Sequence, residues 1–122
     1  MSKTRVAVIN YGMGNLHSVG KAIELVAPEA ELIITNDHDS ILNANHVILP
    51  GVGAMRDCMG EMQKLNIDKI VHEVIKQGTP FLGICVGMQA LMNHSQENNG
   101  VNCLNVFEGD VIHFSQSHTN DQ

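Results

Sequence analysis

Four short apolar runs recur along the chain, each leading toward a segment with helical spacing, and this alternation restricts the fold more than any other feature. The runs are Val6-Ala7-Val8-Ile9, Leu32-Ile33-Ile34, His46-Val47-Ile48-Leu49 and Phe81-Leu82-Gly83-Ile84. They are continuous rather than alternating, the pattern of strands covered on both faces. After the first run, Leu16, Val19, Ile23 and Val26 recur at spacings of three and four. That stripe predicts a helix capped by Asn15 and stopped by Pro28. The polar stretch Asn36 to Ser40 and a short helix turn at Ile41-Leu42 follow the second run. Ala54 to Leu65 reads as a Met-rich helix, and Asn66 as the cap of another whose buried face is Ile67, Ile70, Val71 and Val74 and whose end is Gly78. A further helix is expected over Val86 to Met92. Strands that alternate with helices pair in parallel, so the expected class is α/β: a three-layer, mostly parallel sheet flanked by helices, with binding sites at the carboxyl ends of its strands. Beyond Asn93, Ser95 to Gly100 reads as a loop, Val106 to Ile112 as a hairpin or two short strands around Gly109-Asp110, and 115–122 as a mobile polar tail.

A chain of 122 residues suits one domain. No apolar run approaches the ~18 residues that cross a bilayer, so no membrane partner is expected. Met1 to Arg5 leads straight into the first strand, too short for a secretory signal. Thirteen acidic residues against seven basic ones give a net charge of −6 with no Lys/Arg cluster, which argues against nucleic acid as a partner. Cys58, Cys85 and Cys103 are odd in number and far apart, fitting neither a disulfide framework nor a CxxC motif. A reducing cytoplasm is the expected setting. With aromatic residues at only 3%, the core must be built from Ile, Leu, Val and Met.

The segment richest in chemistry is Pro80-Phe81-Leu82-Gly83-Ile84-Cys85-Val86-Gly87-Met88-Gln89. It sets a cysteine in G-x-C-x-G between a strand and a helix, the thiol form of the G-x-S-x-G nucleophile elbow. A sharp strand-to-helix turn brings the two segments together, and Gly83 and Gly87 remove the side chains that would collide. Cys85 would then stand at the top of the sheet in a strained conformation with its sulfur in open space. The amino end of the following helix would favour its thiolate. The bland alternative is a small buried cysteine, which accounts for neither glycine.

A nucleophile on such an elbow needs donors for the negative oxygen of a tetrahedral intermediate, one from the next residue and one from another loop of the same sheet edge. Val86 supplies the first N–H. Gly51, Val52 and Gly53, in Pro50-Gly51-Val52-Gly53-Ala54 after the third strand, are the candidates for the second; a plain turn before a helix is the alternative.

Three segments together resemble a known family. Val8-Ile9-Asn10-Tyr11-Gly12-Met13-Gly14-Asn15-Leu16, Leu49-Pro50-Gly51-Val52-Gly53-Ala54 and Leu82-Gly83-Ile84-Cys85-Val86-Gly87-Met88-Gln89 are similar, in order and spacing, to the glutaminase subunits of imidazole glycerol phosphate synthase. The likeness extends through Glu108-Gly109-Asp110-Val111. G-x-C-x-G-x-Q marks class I glutamine amidotransferases generally, and Asn-Tyr-Gly-Met-Gly-Asn points to this subunit. The resemblance implies a class I amidotransferase-like, flavodoxin-like fold lacking its C-terminal part. It implies hydrolysis of L-glutamine to glutamate and ammonia, and delivery of the ammonia to a cyclase subunit in a heterodimer of histidine biosynthesis. Cys85 would form the glutamyl thioester, Gln89 would help hold glutamine, and Asn10, Tyr11, Gly12, Met13, Gly14 and Asn15 would lie at the synthase interface. No cofactor and no metal are implied. A solvent-facing helix residue is the alternative for Gln89.

The match fails at one point: the family's base and its orienting acid lie in a His-Pro-Glu segment, and no His-Pro-Glu occurs here. Without a base, both proton transfers of triad chemistry are missing. His94, His113 and His118 follow the elbow without an acid in any recognisable motif, and Cys103, His113 and His118 lack the compact ligand pair of a zinc site. The chain therefore reads as a partial amidotransferase domain over 1–122, with apolar sheet surface left uncovered. Three hypotheses remain: a glutaminase subunit inactive in this form, a non-catalytic fragment or binding module that keeps the cyclase-facing surface, and a Cys hydrolase with another substrate.

Overall fold

The computed structural model describes residues 3–97 and 100–112. The strongest apolar run becomes the central strand β1, Arg5–Ile9, with β2, Glu31–Thr35, on one side and β3, His46–Leu49, on the other; β4, Phe81–Gly83, completes a sheet of order β2-β1-β3-β4. All three pairings are parallel, with Val8 level with Ile34 and Ile48, and Ile48 level with Leu82. The order reverses between β1 and β3. Loops after these two strands therefore diverge around a crevice at the carboxyl edge, where α/β sheets bind their ligands.

Side chains alternate across the sheet. Val6, Val8 and Ile48 face α1, Leu16–Val26, through Leu16, Val19 and Ile23. Ala7, Ile9, Val47 and Leu49 face α2, His38–Leu42, α3, Met55–Lys64, and α4, Ile67–Lys76. Met55, Cys58, Met59 and Met62 form the buried stripe of α3, matched by Ile67, Ile70, Val71 and Val74 of α4. This bears out helices on both faces. The two faces are unequal, however. Three helices cover one, whereas α1 leaves a groove of about 340 Å³ lined by Val19, Ile23, Ile48, Leu82 and Ile84, and Leu82 is 55% exposed.

The N-cap of α1 forms as expected, with Asn15 Oδ1 accepting the Ser18 N–H at 3.1 Å. Asn66 differs: it takes a left-handed φ of 58° and makes no side-chain cap bond, so it turns the chain between α3 and α4 instead of capping. The fourth strand ends at Gly83, and the Ile84 N–H makes one more ladder bond, to the Leu49 carbonyl at 3.0 Å, before the chain turns at Cys85. Past the elbow the expectations need more revision. The helix after Cys85 is α5, Val86–Gln89, and does not reach Met92. The chain tightens instead: the Leu91 and Met92 N–H groups bond the Met88 and Gln89 carbonyls three residues back, each at 3.1 Å, and the returning segment bonds the Ala90 and Leu91 carbonyls through the N–H groups of Leu104 and Val106 at 2.8 and 2.9 Å. Ser95, assigned to a loop, is fully buried in β5, His94–Ser95. There is also no hairpin over 106–112. β7, Asp110–Val111, pairs parallel with β5, and β6, Val101–Asn102, pairs antiparallel with it. The expected tail at 115–122 lies outside the described residues, as do His113 and His118.

Burial ranks the core residues. Ile9→Ala, at a fully buried position of the central strand, should cost about 2–5 kcal/mol in urea unfolding, whereas Leu82→Ser on the open face should change stability by no more than about 0.5 kcal/mol.

Candidate active site

Three loops meet at the carboxyl edge: 10–15 after β1, 50–54 after β3, and the turn at Ile84 and Cys85 after β4. The last is a nucleophile elbow in geometry. Cys85 has φ 54° and ψ −121°, a conformation that L-residues avoid and that costs roughly 1–3 kcal/mol. Its carbonyl accepts the N–H groups of Met88 and Gln89 at 3.0 and 3.1 Å, and its side chain is exposed. The glycines do what the turn demands. A Cβ on Gly83 would lie 2.7 Å from Met88 Cα, and one on Gly87 only 2.1 Å from the Leu49 carbonyl oxygen. The elbow thus closes directly onto the end of β3.

The Pro50 to Gly53 loop is packed against that elbow. A Cβ on Gly51 would sit 2.7 Å from the Tyr11 hydroxyl and 2.8 Å from the Gly87 nitrogen. Gly53, at φ 90°, turns the chain into α3, and Val52 between them is exposed. The Tyr11 hydroxyl donates to the Pro50 carbonyl at 2.5 Å and the Cys58 thiol to the Val52 carbonyl at 3.4 Å. Val86, assigned as an oxyanion donor, gives its N–H to the Gly51 carbonyl at 3.2 Å. This long bond must be exchanged before Val86 can serve a substrate oxygen. The amides of Val52 and Gly53 have no partner among the described residues.

The segment expected at a partner interface is partly turned inward. Tyr11 is 2% exposed, which corrects its place among the expected interface residues: its ring lies in the core. Asn10 Oδ1 accepts the Gly12 N–H at 3.3 Å, Asn15 caps α1, Gly14 abuts the Pro50 ring and Met13 approaches Gly53. Gly12 and Asn15 remain exposed. Gln89 ends α5, half-buried. With only four residues, α5 no longer supports the expectation that a helix dipole primes the sulfur. His94 lies on β5 with its ring against Gly100, and no group of three or more His, Cys, Asp or Glu able to hold a metal occurs among the described residues.

Two contributors escaped the sequence reading. Cys58, on the buried stripe of α3, figured only in the cysteine count. Glu97, far along the chain, accepts the first N–H of α3 at 3.3 Å, pinning the end of the loop, and no local pattern announces it. Burial pushes the Tyr11 hydroxyl far above the usual phenol range and raises the Cys58 thiol. Both therefore remain protonated donors at neutral pH.

An exposed thiol at the apex of a glycine-flanked elbow thus lies beside a glycine loop whose Val52 and Gly53 amides have no partner among the described residues, an arrangement that could present a sulfur and amide donors to one carbonyl group. The comparisons with known proteins give the family. The glutamine amidotransferase class-I family model matches residues 7–120, and the chain belongs to that family. Within it, the chain is similar to proteins named imidazole glycerol phosphate synthase subunit HisH. It is 55% identical to the one from Pseudomonas putida over 111 residues, covering 91% of this chain and 51% of the relative. It is 46% identical to that of Methylococcus capsulatus, covering 93% and 52%, and 43% identical to that of Nitrosospira multiformis, covering 98% and 55%. The chain spans about half the length of these curated relatives.

The backbone at position 85 favours glycine. Cys85→Gly should exceed Cys85→Ala in unfolding free energy by about 1 kcal/mol, since relieved strain outweighs the added chain entropy. Stability should also depend on alkaline pH. The Cys58 thiol is held above its ordinary 9.0 in the fold, so above pH 9 the unfolded chain releases a proton that the native chain retains. Unfolding is then favoured as pH rises. Thermal melts from pH 8 to 10 should show a falling midpoint, with a shallower fall in Cys58→Ala.

Proposed function

We propose that this chain is the nucleophile-bearing part of a glutaminase that supplies ammonia to a cyclase subunit for imidazole glycerol phosphate synthesis. The observation that carries the reading is the contact between the Cys85 elbow and the Gly51–Gly53 loop, combined with the names of the relatives. Cys85 Sγ attacks the side-chain amide carbon of L-glutamine. The carbonyl oxygen takes negative charge beside the amides of the Gly51–Gly53 loop and, once released by Gly51, of Val86. The C–N bond then breaks, ammonia leaves with the proton it needs, and a γ-glutamyl thioester remains on Cys85. Water cleaves that thioester to glutamate and restores the thiol. Gln89, on the turn after the nucleophile, contacts the amino-acid end of the substrate.

The proton carrier for these steps comes from the half of the relatives that this chain does not match. The same half covers the open sheet face at Leu82 and Ile84. The exposed Gly12 and Asn15, with Asn10, Met13 and Gly14 beside them, make the surface that meets the cyclase in a cytoplasmic heterodimer. Without a base, the 122-residue chain binds and is modified but does not turn over.

A glutamine-derived diazo ketone should label the Cys85 peptide of this chain and fail to label Cys85→Ala, while ammonia release from glutamine stays at background. A chimera joining this chain to the remaining half of the Pseudomonas putida relative should release ammonia, and Cys85→Ala in it should abolish release by about a millionfold, as loss of a triad nucleophile does elsewhere. Labelling by ester-like probes but not by the diazo ketone would point to another substrate. A folded chimera that binds the cyclase without turnover would support the binding-module reading.

A further inference from the structure

Three consecutive carbonyls of the loop after β3 are each held by a different donor: Pro50 by the Tyr11 hydroxyl at 2.5 Å, Gly51 by the Val86 N–H at 3.2 Å, and Val52 by the Cys58 thiol at 3.4 Å. The outer two donors are side chains buried in the core, 2% and 0% exposed, on the loop after β1 and on α3. The central one is backbone of the elbow. A peptide unit is planar, with its carbonyl and the following N–H pointing in opposite directions. Holding the carbonyls of Pro50 and Val52 therefore sets where the N–H groups of Gly51 and Gly53 point. We infer that Tyr11 and Cys58 are positioning residues that fix the presentation of the Gly51–Gly53 amides to Cys85.

The two behave as one unit. The Tyr11 hydroxyl holds the carbonyl on one side of Gly51 and the Cys58 thiol holds the carbonyl of the next residue but one, so the loop is gripped at both ends. The hydroxyl also occupies the space beside Gly51 that any larger residue would need. Close packing alone would be met equally well by Phe at position 11, because the ring supplies the apolar contact. The hydroxyl is needed only for the carbonyl. The same logic applies at 58: Ser keeps a donor where Ala does not. The catalytic sense of this clamp rests on the glutaminase reading above, whereas its structural sense does not.

Tyr11→Phe, Cys58→Ala and Cys58→Ser in the 122-residue chain separate these meanings. Amide hydrogen exchange reads the clamp: Tyr11→Phe and Cys58→Ala should speed exchange at Val86 by about five- to tenfold, the population change expected for one lost neutral hydrogen bond, with β1 amides within about twofold of the parent. Cys58→Ser should return Val86 toward the parent rate. At Cys85, the labelling rate by the diazo ketone relative to iodoacetamide should fall in Tyr11→Phe and Cys58→Ala and recover in Cys58→Ser, since iodoacetamide needs the thiol but not the loop. Unchanged exchange at Val86, or an equal rise across all four strands, overturns the proposal. So does a Cys58→Ser variant that matches Cys58→Ala. If Tyr11→Phe does not fold, the pair at 58 decides. A parent chain deaf to the diazo ketone, yet with the expected exchange pattern, would remove the glutaminase reading and leave the clamp standing.

Discussion

The closure of the elbow onto the end of β3 is the contact on which the site depends. The Leu49 carbonyl accepts the Ile84 N–H at 3.0 Å, and the same oxygen lies where a side chain at Gly87 would have to go. Backbone meets backbone there with no side chain between. Just past that last ladder bond the chain turns, Cys85 takes a positive φ and the Val86 N–H reaches the Gly51 carbonyl. Strain of this kind persists only where surrounding structure over-determines it. Here the restraint comes from both sides: the parallel pairing of β3 with β4, and the Met-rich packing of α3, which begins as soon as the glycine loop ends.

The reverse side of the sheet explains how such a site coexists with an incomplete cover. Its elements are anchored from the face packed by α2, α3 and α4, where Ile9, Leu49, Met55 and Val71 are sealed from solvent. The face under α1 carries fewer buried residues and opens toward β4. Each Å² of apolar surface left in water there forgoes about 25 cal/mol, a loss spread along β4 and its neighbours without reaching the loops that hold the site. A larger cavity of about 710 Å³, lined by Lys3, Val6, Pro28 and His46, lies at the amino ends of the strands. It lies at the opposite end of the sheet from Cys85.

Much of this was legible in the residues. Runs such as Val6 to Ile9 declared strands buried on both faces, and the three-four spacing of Leu16, Val19 and Ile23 declared α1, because those signals are periodic and local. Gly83, Cys85 and Gly87 were readable for the same reason: the turn's sterics are written within five residues. What escaped depends on distant partners. A helix was expected through Met92, but the Leu91 and Met92 amides bond only three residues back and the Ala90 and Leu91 carbonyls are taken by Leu104 and Val106, over a dozen residues away. Asn66 looked like a cap and serves as a left-handed turn, a conformation Asn also tolerates. Tyr11 entered only through the resemblance, as part of an interface loop, and no local pattern shows that its ring enters the core and its hydroxyl reaches Pro50. The link from Glu97 to Met55 spans 42 residues and no window of sequence contains it.

A through-hydrogen-bond scalar coupling experiment on the labelled chain examines this junction most directly. The account requires cross-peaks joining the Ile84 amide to the Leu49 carbonyl and, more weakly for its longer bond, the Val86 amide to the Gly51 carbonyl. If the Ile84 correlation is missing and its amide exchanges at the rate of an unstructured peptide, the turn bearing Cys85 does not rest on β3, and the site described above does not exist.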